Sequence, residues 1–346
     1  MGSHWGIGGR AGRAAAIGLV MAGLALLVAA CTNPPGGGGA PPTTTIVALP
    51  GPPGEFSLLS YNVAGLPQEI SKEEPTKHIP LISARLNPYD VVLTQEDFDW
   101  WQPLLDLLDF AGYHDALRAE ADHPYRSGQH PGPRAVGLNP AYRPLFVGDG
   151  LGMMARFPFT EPIRVPWSGC FGGILPDGGA ADCLAMKGFS VATMTLAGGP
   201  HRGCVRPARR GRGTARDQAL QVADYEQLAA FMASHSAGRP VVLAGDTNLH
   251  VDRVHPDSGA SGSIDDAAIW DRFLASTGLT DTCAELLCAQ WDSIDKAAYR
   301  DGPGVDLTPL SHTYPSADFL GPDGEDLSDH LPLAVTFTWD DLPPAN

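Results

Sequence analysis

The sequence is short of positive charge. Its 346 residues include 23 Lys and Arg, of which only four are Lys, against 39 Asp and Glu, so the formal net charge is −16. This balance argues against a broad basic surface for duplex DNA, because binding of that kind depends on neutralising many phosphates. It does not exclude a nuclease whose substrate contacts are confined to a local site.

Charged residues of both signs make up only 18% of the chain, whereas hydrophobic residues make up 43%. A disordered acidic protein would have too few hydrophobic residues to form a core. Gly and Pro together account for about a fifth of the chain, which is below the range of collagen and low-complexity proteins. The composition therefore indicates a globular protein, and the residues after position 54 suffice for one large domain or two small ones.

Residues 1–31 have the layout of a bacterial signal peptide. Two arginines precede an uncharged apolar stretch, residues 14–30, which ends at Cys31. Residues 28–31 also resemble a lipobox, so we expect Cys31 to be lipidated and to become the new N-terminus. A plain secretory signal with an incidental Cys is the alternative. A spanning helix is disfavoured because the stretch is at the lower length limit for crossing a bilayer.

Residues 32–54 are rich in Pro, Gly and Thr, which predicts a flexible tether without a core. With this leader and tether, we expect the protein to lie outside the cytoplasm. It would be either anchored to the membrane through the lipid on Cys31 or secreted.

The six cysteines suit an oxidising compartment, in which disulfides persist. Cys283 and Cys288 are close in sequence, and Cys170 and Cys183 flank a Gly-rich loop. The simplest pairing joins the members of each pair, although the sequence alone does not fix connectivity. With Cys31 assigned to lipidation, the sixth cysteine, Cys204, has no predicted partner.

From residue 55 the chain alternates between apolar strand-like runs and helical patterns. Apolar runs without polar alternation predict strands buried on both faces of a sheet. Polar residues adjoin these runs directly, and in α/β proteins such residues collect at one rim of the sheet. The predicted strands are 56–63, 90–93, 240–244 and 331–339, and the predicted helices are 216–235 and 270–277.

The polar residues near these strands are carboxylates and amides, with one histidine. Carboxylate and amide oxygens are hard ligands that suit Mg²⁺ or Ca²⁺. Phosphodiester hydrolysis uses such groups, because a divalent ion neutralises phosphate, a His–Asp pair activates water and an Asn holds a phosphoryl oxygen. Each residue alone is also compatible with a turn or a strand cap. The set consists of Asn62, Glu96, Asp246, Asn248, Asp295, Asp329 and His330.

Taken together and in this order, the motifs resemble the endonuclease/exonuclease/phosphatase superfamily, the DNase I-like proteins. The segments that carry the resemblance are 60–63, 94–96, 154–158, 245–248, 294–295 and 328–330. Residues 182–185 with 187–189, and the Tyr-Asn-Val-Ala-Gly-Leu-Pro opening, are most similar to exported bacterial members near the sphingomyelinase branch. The resemblance covers about residues 55–340. It implies an α/β fold, a four-layer sandwich of two mixed β-sheets packed face to face with helices outside.

The resemblance also implies a metal site and a set of catalytic roles. Glu96 would be the principal metal ligand, with Asn62 beside it and Asp329 close to the ion. The expected ion is Mg²⁺, with Mn²⁺ or Ca²⁺ as alternatives.

Asp246 and Asn248 would bind the phosphate or the attacking water. His330 would be the general base, oriented by Asp295. We also expect the strand of Asp295 to lie beside the strand that follows His330.

One segment departs from the family pattern, which implies a strand ending in a leaving-group His shortly before helix 216–235. Residues 200–213 contain Gly, Pro and five Arg, so we expect no strand there, and the His position falls near Ala208. Shifting permitted codons by one nucleotide yields Thr-Val-Asp-Val-Tyr-Asp-Leu-His, an alternating strand ending in His. We hypothesise two compensating frameshifts, which the nucleotide sequence can test. The alternatives are a basic loop that binds phosphate and an ordinary exposed loop.

These observations predict an exported metal-dependent phosphodiesterase that cleaves a phospholipid head group, as a sphingomyelinase or phospholipase C does, or nucleic acid. The acidic composition and the lipid anchor favour a lipid substrate. The alternative is a catalytically impaired surface lipoprotein that binds phosphorylated ligands through the same pocket. No protein partner is predicted, and the expected state is a monomer.

Overall fold

The computed structural model describes residues 54–66, 71, 73–98, 113–128, 148–171, 183, 185–196, 199–207, 215–250, 266–303 and 305–341. They all belong to one unit, Val47–Asn346. The leader, Cys31 and the tether through residue 53 lie outside the described residues, so the lipid anchor stays a prediction. No helix within the described ranges is long and apolar enough to cross a bilayer.

Two six-stranded sheets organise the described part of the chain. The strands are β1 (Glu55–Asn62), β2 (Val91–Gln95), β3 (Tyr125–Arg126), β4 (Gly152–Ala155), β5 (Ile163–Pro166), β6 (Gly188–Leu196), β7 (Gly199–Pro207), β8 (Val241–Asp246), β9 (Thr280–Asp281), β10 (Asp295–Arg300), β11 (Val305–Thr313) and β12 (Leu333–Asp341). The helices are α1 (Pro75–Ser83), α2 (Tyr113–Arg118), α3 (Ala215–His235), α4 (Asp266–Thr277) and α5 (Thr282–Leu286), with 3₁₀ turns at Ala84–Leu86 and Ser316–Phe319.

The first sheet has the strand order β11-β12-β1-β2-β4-β3. Strands β1 and β2 are parallel, with Asn62 opposite Gln95, so both end at the same edge of the sheet. Strand β12 is antiparallel to β1, with Leu333 opposite Ser60. The segment that leads into β12 therefore arrives at the edge where β1 and β2 end.

The second sheet has the strand order β5-β6-β7-β8-β10-β9. Strands β7 and β8 are parallel, whereas β10 runs antiparallel to β8. The register places Asp295, the first residue of β10, opposite Asp246, the last residue of β8. This pairing alone brings two of the predicted site residues side by side.

Three apolar layers hold the sheets and helices together. The largest lies between the sheets and contains Phe56 and Phe337 from the first sheet with Val242 and Ala297 from the second. A second layer joins the outer face of the second sheet to α3 and α4, and a third joins the outer face of the first sheet to α1 and α2. The order helix, sheet, sheet, helix confirms the predicted four-layer α/β sandwich.

Helices α3 and α4 follow their sequence patterns closely. Tyr225, Leu228 and Met232 of α3 are buried at spacings of three and four residues, which is the apolar face of an amphipathic helix. Helix α4 begins four residues earlier than predicted, at Asp266, whose negative charge suits a helix N-terminus. It ends before Gly278, which has φ +66° and so adopts the left-handed conformation that terminates helices.

Strand β7 corrects the expectation that residues 200–213 contain no strand. The backbone of Gly199–Pro207 pairs antiparallel with β6 and, at Cys204 and Val205, parallel with β8. Sheet pairing uses backbone N–H and C=O groups, and this strand fills a position where β6 and β8 would otherwise have open edges. The frameshift hypothesis concerns codons, so it stays a prediction, and Ala208 lies outside the described residues.

Both predicted disulfides are present. The Cα atoms of Cys170 and Cys183 are 5.2 Å apart, and those of Cys283 and Cys288 are 4.8 Å apart. The second disulfide closes the end of α5, where Leu287 adopts a left-handed conformation with φ 53°. These bonds agree with the expected export to an oxidising compartment.

A buried ion cluster lies beneath the end of β2. The Asp97 carboxylate accepts hydrogen bonds from Arg118 Nη1 at 2.7 Å and from Thr94 Oγ1 at 3.0 Å, and His114 Nδ1 lies 3.3 Å away. Burial alone would raise the pKa of Asp97, but the charges of Arg118 and His114 hold it well below its usual range. Gly152 of β4 packs directly against this cluster.

We predict that Gly152→Ala lowers the free energy of unfolding by about 1–3 kcal/mol. A Cβ at this position would overlap the Asp97 carboxylate, the Arg118 guanidinium and the Thr94 hydroxyl. These groups are buried and hydrogen-bonded to one another, so they cannot move apart without losing contacts. Urea and thermal denaturation measure the change.

Gly128→Ala is the matched control, because only Glu161 Oε1, at 3.6 Å, would lie near the added Cβ. Equal losses of stability in the two variants would contradict the proposed overlap at Gly152.

Candidate active site

Polar residues from both sheets meet at one rim of the sandwich. Asn62 ends β1, Asp246 ends β8 and Asp295 begins β10. Glu96 follows β2 directly, and His330 lies three residues before β12. We refer to these five residues and Asn248 as the rim site.

The His330 ring lies between two carboxylates and an amide. Its Nδ1 is 2.8 Å from Asp295 Oδ2, and its Nε2 is 3.3 Å from Asn62 Nδ2 and 3.8 Å from Asp246 Oδ2. Asn62 Nδ2 also donates to Asp246 Oδ2 at 3.1 Å. The ring is therefore held at Nδ1 by Asp295, and Nε2 faces the other polar groups of the site.

The strands that carry Asp295 and His330 do not lie beside each other, which corrects that expectation. Strand β10 belongs to the second sheet, and β12, which follows His330, belongs to the first. The two side chains meet because the sheets pack face to face and both residues lie at the same rim. The predicted proximity of His330 and Asp295 is found, but the contact joins the two sheets instead of lying within one.

The charges of the rim site shift the pKa values of its members. Burial alone would lower the pKa of His330, but the charges of Asp295 and Asp246 and the hydrogen bond to Asp295 raise it to about 10. Burial raises the pKa of Asp246 to about 6, with Asp295 and Glu96 raising it and His330 and Lys187 lowering it. At neutral pH the metal-free site therefore holds an imidazolium between carboxylates.

A series of buried contacts holds the backbone of Asp295 in place. Its backbone oxygen accepts a hydrogen bond from the Tyr314 hydroxyl at 2.9 Å. That hydroxyl lies 3.3 Å from His312 Nε2, and His312 Nδ1 lies 2.7 Å from Thr282 Oγ1. Burial raises the pKa of Tyr314 and lowers that of His312 to about 4, so both are neutral at pH 7. These uncharged groups position Asp295 without competing for the His330 imidazolium.

Two rim residues have the left-handed backbone conformation that non-glycine residues rarely adopt. The φ angle is 52° at Glu96 and 50° at Asn248. Such angles cost free energy and are common at functional sites, where surrounding contacts enforce them. Asn248 is held by its side-chain and backbone N–H groups, which donate to Asp246 Oδ1 at 2.6 and 3.0 Å, and its carbonyl accepts from Gln221.

Lys187 also lies at the site, a position that its sequence motif did not predict. Its Nζ lies 3.4 Å from Glu96 Oε1, and the residue is 7% exposed. A lysine buried this deeply requires a carboxylate partner, since an unpaired buried charge is costly. Lysine is scarce in this chain, and Lys187 lies in a motif that carries the family resemblance, so the sequence did contain a signal.

Several carboxylate oxygens converge at the rim site. One ligand atom each from Asp246, Asp295 and His330 lies within 4.8 Å of the others, and Asp295 Oδ1 is buried without a hydrogen-bond partner. Glu96 lies close enough to raise the pKa of Asp246. Crowded carboxylate oxygens with an unused buried acceptor fit a hard divalent cation.

Asp329 was predicted to lie close to the metal, and in the structure its charge is among those that raise the pKa of His330. It is exposed, and it lines a separate acidic cleft of about 400 Å³. Ser328 connects the two regions, since its hydroxyl donates to the Asn62 carbonyl at 2.7 Å and accepts from the His330 backbone N–H at 3.2 Å.

Sequence comparison relates the chain to a known family. The family model described as Endonuclease/Exonuclease/phosphatase family matches residues 59–330. The chain is 29% identical over 302 residues to a sphingomyelinase from Mycobacterium tuberculosis, covering 82% of this chain and 53% of that protein. A sphingomyelinase from Mycobacterium bovis matches to the same extent. The chain thus spans about half the length of the curated relatives it matches.

Solved structures share the fold at low sequence identity. A beta toxin mutant from Staphylococcus aureus with bound magnesium ions superposes with a TM-score of 0.52 and 15% identity, covering 81% of this chain and 99% of that chain. SmcL gives a TM-score of 0.51 and 16% identity, covering 83% and 99%. These similarities support the sandwich fold.

We predict that Asp295→Asn lowers the pKa of His330 in metal-free protein, because the carboxylate charge that favours the imidazolium is removed. NMR titration of the imidazole resonances in the presence of a chelator measures this pKa. Asp292→Asn, an exposed change three residues upstream, is the control and should leave the pKa of His330 unchanged. Equal pKa values in wild type and Asp295→Asn would contradict the pairing.

Proposed function

Because the chain belongs to the endonuclease/exonuclease/phosphatase family, we propose that it is a metal-dependent phosphodiesterase that acts outside the cytoplasm on a phospholipid head group. The placement of His330 between Asp295 and Asp246, with Asn62 beside it, is the observation that carries this proposal. The 29% sequence identity to mycobacterial sphingomyelinases supports a lipid substrate.

A divalent cation fits the chemistry of the rim site. Asp246 and Glu96 would hold it, with Asn62 beside them, since their oxygens are hard ligands and lie at one rim. Bound there, a divalent ion would neutralise phosphate charge and favour the neutral form of His330. Mg²⁺ is the proposed ion, and the magnesium in the beta toxin structure supports that choice. Mn²⁺ and Ca²⁺ are the alternatives.

The side chains of the rim site have distinct roles in the proposed reaction. His330 Nε2 accepts a proton from the attacking water, and Asp295 holds Nδ1 and stabilises the imidazolium that forms. The amide groups of Asn62 and Asn248 each donate one hydrogen bond to Asp246, and their second N–H would donate to phosphoryl oxygens. The water oxygen bonds to phosphorus while the P–O bond to the lipid alcohol breaks, and the departing alkoxide takes a proton from solvent, which leaves a phosphomonoester and a free alcohol.

Lys187 also has a role in the proposed reaction. It lies beside Glu96 at the edge of the site, where a cation stabilises a phosphoryl group that gains negative charge in the transition state. The carboxylate of Asp329 also favours the imidazolium that forms on His330.

The first functional prediction concerns the metal. Hydrolysis of sphingomyelin in vesicles should require added Mg²⁺ and stop with a chelator, and plasmid DNA should be a poor substrate. Glu96→Gln should reduce turnover by more than the roughly 10–100-fold that loss of a supporting group costs at metal sites. Glu226→Gln, an exposed change of the same type on α3, is the control.

Undiminished hydrolysis by Glu96→Gln would remove Glu96 from the site. Binding of Mg²⁺ and phosphocholine without turnover of any diester would favour the alternative, a catalytically impaired lipoprotein that binds phosphorylated ligands.

The second functional prediction concerns the His330–Asp295 pair. His330→Ala and Asp295→Asn should each lower turnover by roughly 10²–10⁴-fold, since the base or its orientation is lost. The double variant should be little worse than His330→Ala, because groups that act as a unit are not additive. Circular dichroism would verify folding, and multiplied losses in the double variant would mean that the two residues act independently.

A further inference from the structure

Helix α3 buries polar side chains on one of its faces. Gln218, Gln221 and Tyr225 follow one another at spacings of three and four residues, which places them on the same side of the helix. Each of the three is no more than 6% exposed. Burying an amide or a hydroxyl costs free energy unless it forms hydrogen bonds. The hydrogen-bond partners of these side chains therefore indicate what this face of the helix supports.

Two of these side chains hold the segment that follows β8. Gln221 Nε2 donates to the Asn248 carbonyl at 2.9 Å, and the Tyr225 hydroxyl donates to the Thr247 carbonyl at 3.1 Å. Burial raises the pKa of Tyr225 well above its usual range, so this hydroxyl keeps its proton at neutral pH. Helix α3 thus holds two consecutive carbonyl groups at the rim site.

The residues on either side of Asn248 have further anchors. Thr247 donates from its backbone N–H and from its Oγ1 to the Ile294 carbonyl, at 2.9 and 2.6 Å. The His250 backbone N–H donates to Asp266 Oδ2 at 3.1 Å. Loss of the Gln221 amide would therefore change the surroundings of Asn248 while the residues on either side of it stay anchored.

Asn248 needs support because of its backbone conformation. Its φ angle is 50°, in the left-handed region that residues other than glycine rarely adopt. In this conformation its backbone N–H and its Nδ2 both donate to Asp246 Oδ1, at 3.0 and 2.6 Å. A residue in this region is held there by surrounding contacts, and it returns to a commoner conformation when they are lost. The direction of its side chain then changes as well.

We infer that Gln221 is a positioning residue that keeps the side-chain amide of Asn248 directed at a bound phosphate. This inference rests on the proposed phosphodiesterase function, in which Asn248 donates to a phosphoryl oxygen. It adds a residue that acts through Asn248 without touching the substrate. The hydrogen bond from Gln221 stabilises the conformation in which one N–H of Asn248 Nδ2 binds Asp246 and the other is left for the phosphate.

Gln227 offers a matched control on the same helix. Its Nε2 donates to the Pro166 carbonyl at 3.0 Å, and its Oε1 accepts from the Ser168 backbone N–H at 2.8 Å. Gln221→Met and Gln227→Met each introduce a good helix former of similar length that has no N–H donor. Both changes remove a hydrogen bond from α3 to a backbone carbonyl, but only Gln221 contacts the rim site. Thermal denaturation verifies that both variants are folded.

Amide hydrogen exchange reports on Asn248 without any substrate. In Gln221→Met the Asn248 backbone N–H should exchange about 10-fold faster, because its hydrogen bond to Asp246 forms in the supported conformation. The amides of β8 report opening of the whole sheet and should keep their rates, as should Asn248 in Gln227→Met. Unchanged exchange at Asn248 in Gln221→Met, or equal acceleration in β8, would overturn the inference.

Phosphate binding separates the inference from the proposed function. Inorganic phosphate is titrated in the presence of Mg²⁺ and followed by NMR at the Asn248 side-chain amide. It should bind about 10-fold more weakly to Gln221→Met than to the wild type or to Gln227→Met. Such weakening supports the inference even if no diester is hydrolysed, in which case the proposed function alone fails. Equal affinity in all three proteins would refute the inference even if hydrolysis occurs.

Turnover tests whether Gln221 acts through Asn248. Hydrolysis of sphingomyelin in vesicles should fall by about 10-fold in Gln221→Met and stay unchanged in Gln227→Met. Asn248→Gly removes the side-chain amide and tolerates the left-handed conformation. In that background Gln221→Met should cause no further loss, because residues that act as a unit are not additive. A further loss of the same size in the double variant would show that Gln221 does not act through Asn248.

Discussion

The hydrogen bond between His330 and Asp295 joins the two sheets of the sandwich at the rim where their strands end. It forms only if several independent constraints are met. The β8–β10 register must place Asp295 beside Asp246, and the antiparallel β1–β12 pair must bring His330 to the end of β1. The apolar layer between the sheets then sets the distance across which the two side chains meet.

The charge arrangement at this rim follows from the same packing. Burial and mutual repulsion raise the pKa of Asp246 to about 6, while the carboxylates stabilise an imidazolium on His330. The fold tolerates this crowding because the groups behind the site are neutral: Tyr314 and His312 hold Asp295 through uncharged contacts. The metal-free rim is therefore rich in negative charge, which is the condition under which a divalent cation binds.

Much of the architecture could be predicted because the strand and helix patterns and the strand-end residues are local features of the sequence. Strand β7 could not be predicted, because its position in the sheet depends on the open edges of β6 and β8 and not on its own composition. The sheet membership of β10 and β12 was missed for the same reason, since sequence adjacency does not reveal which strands face each other. Lys187 was overlooked because its role depends on a partner, Glu96, far away in the chain.

Electrostatics link the rim site to the proposed choice of substrate. A phosphate entering a region with so many carboxylates is repelled unless positive charge accompanies it. Lys187 and a bound divalent ion supply such charge inside the rim site, but the outward side, around Asp326 and Asp329, offers the phosphate only further repulsion. A nucleic-acid strand would bring further phosphates to the same region, so this distribution of charge supports the proposed lipid substrate over DNA.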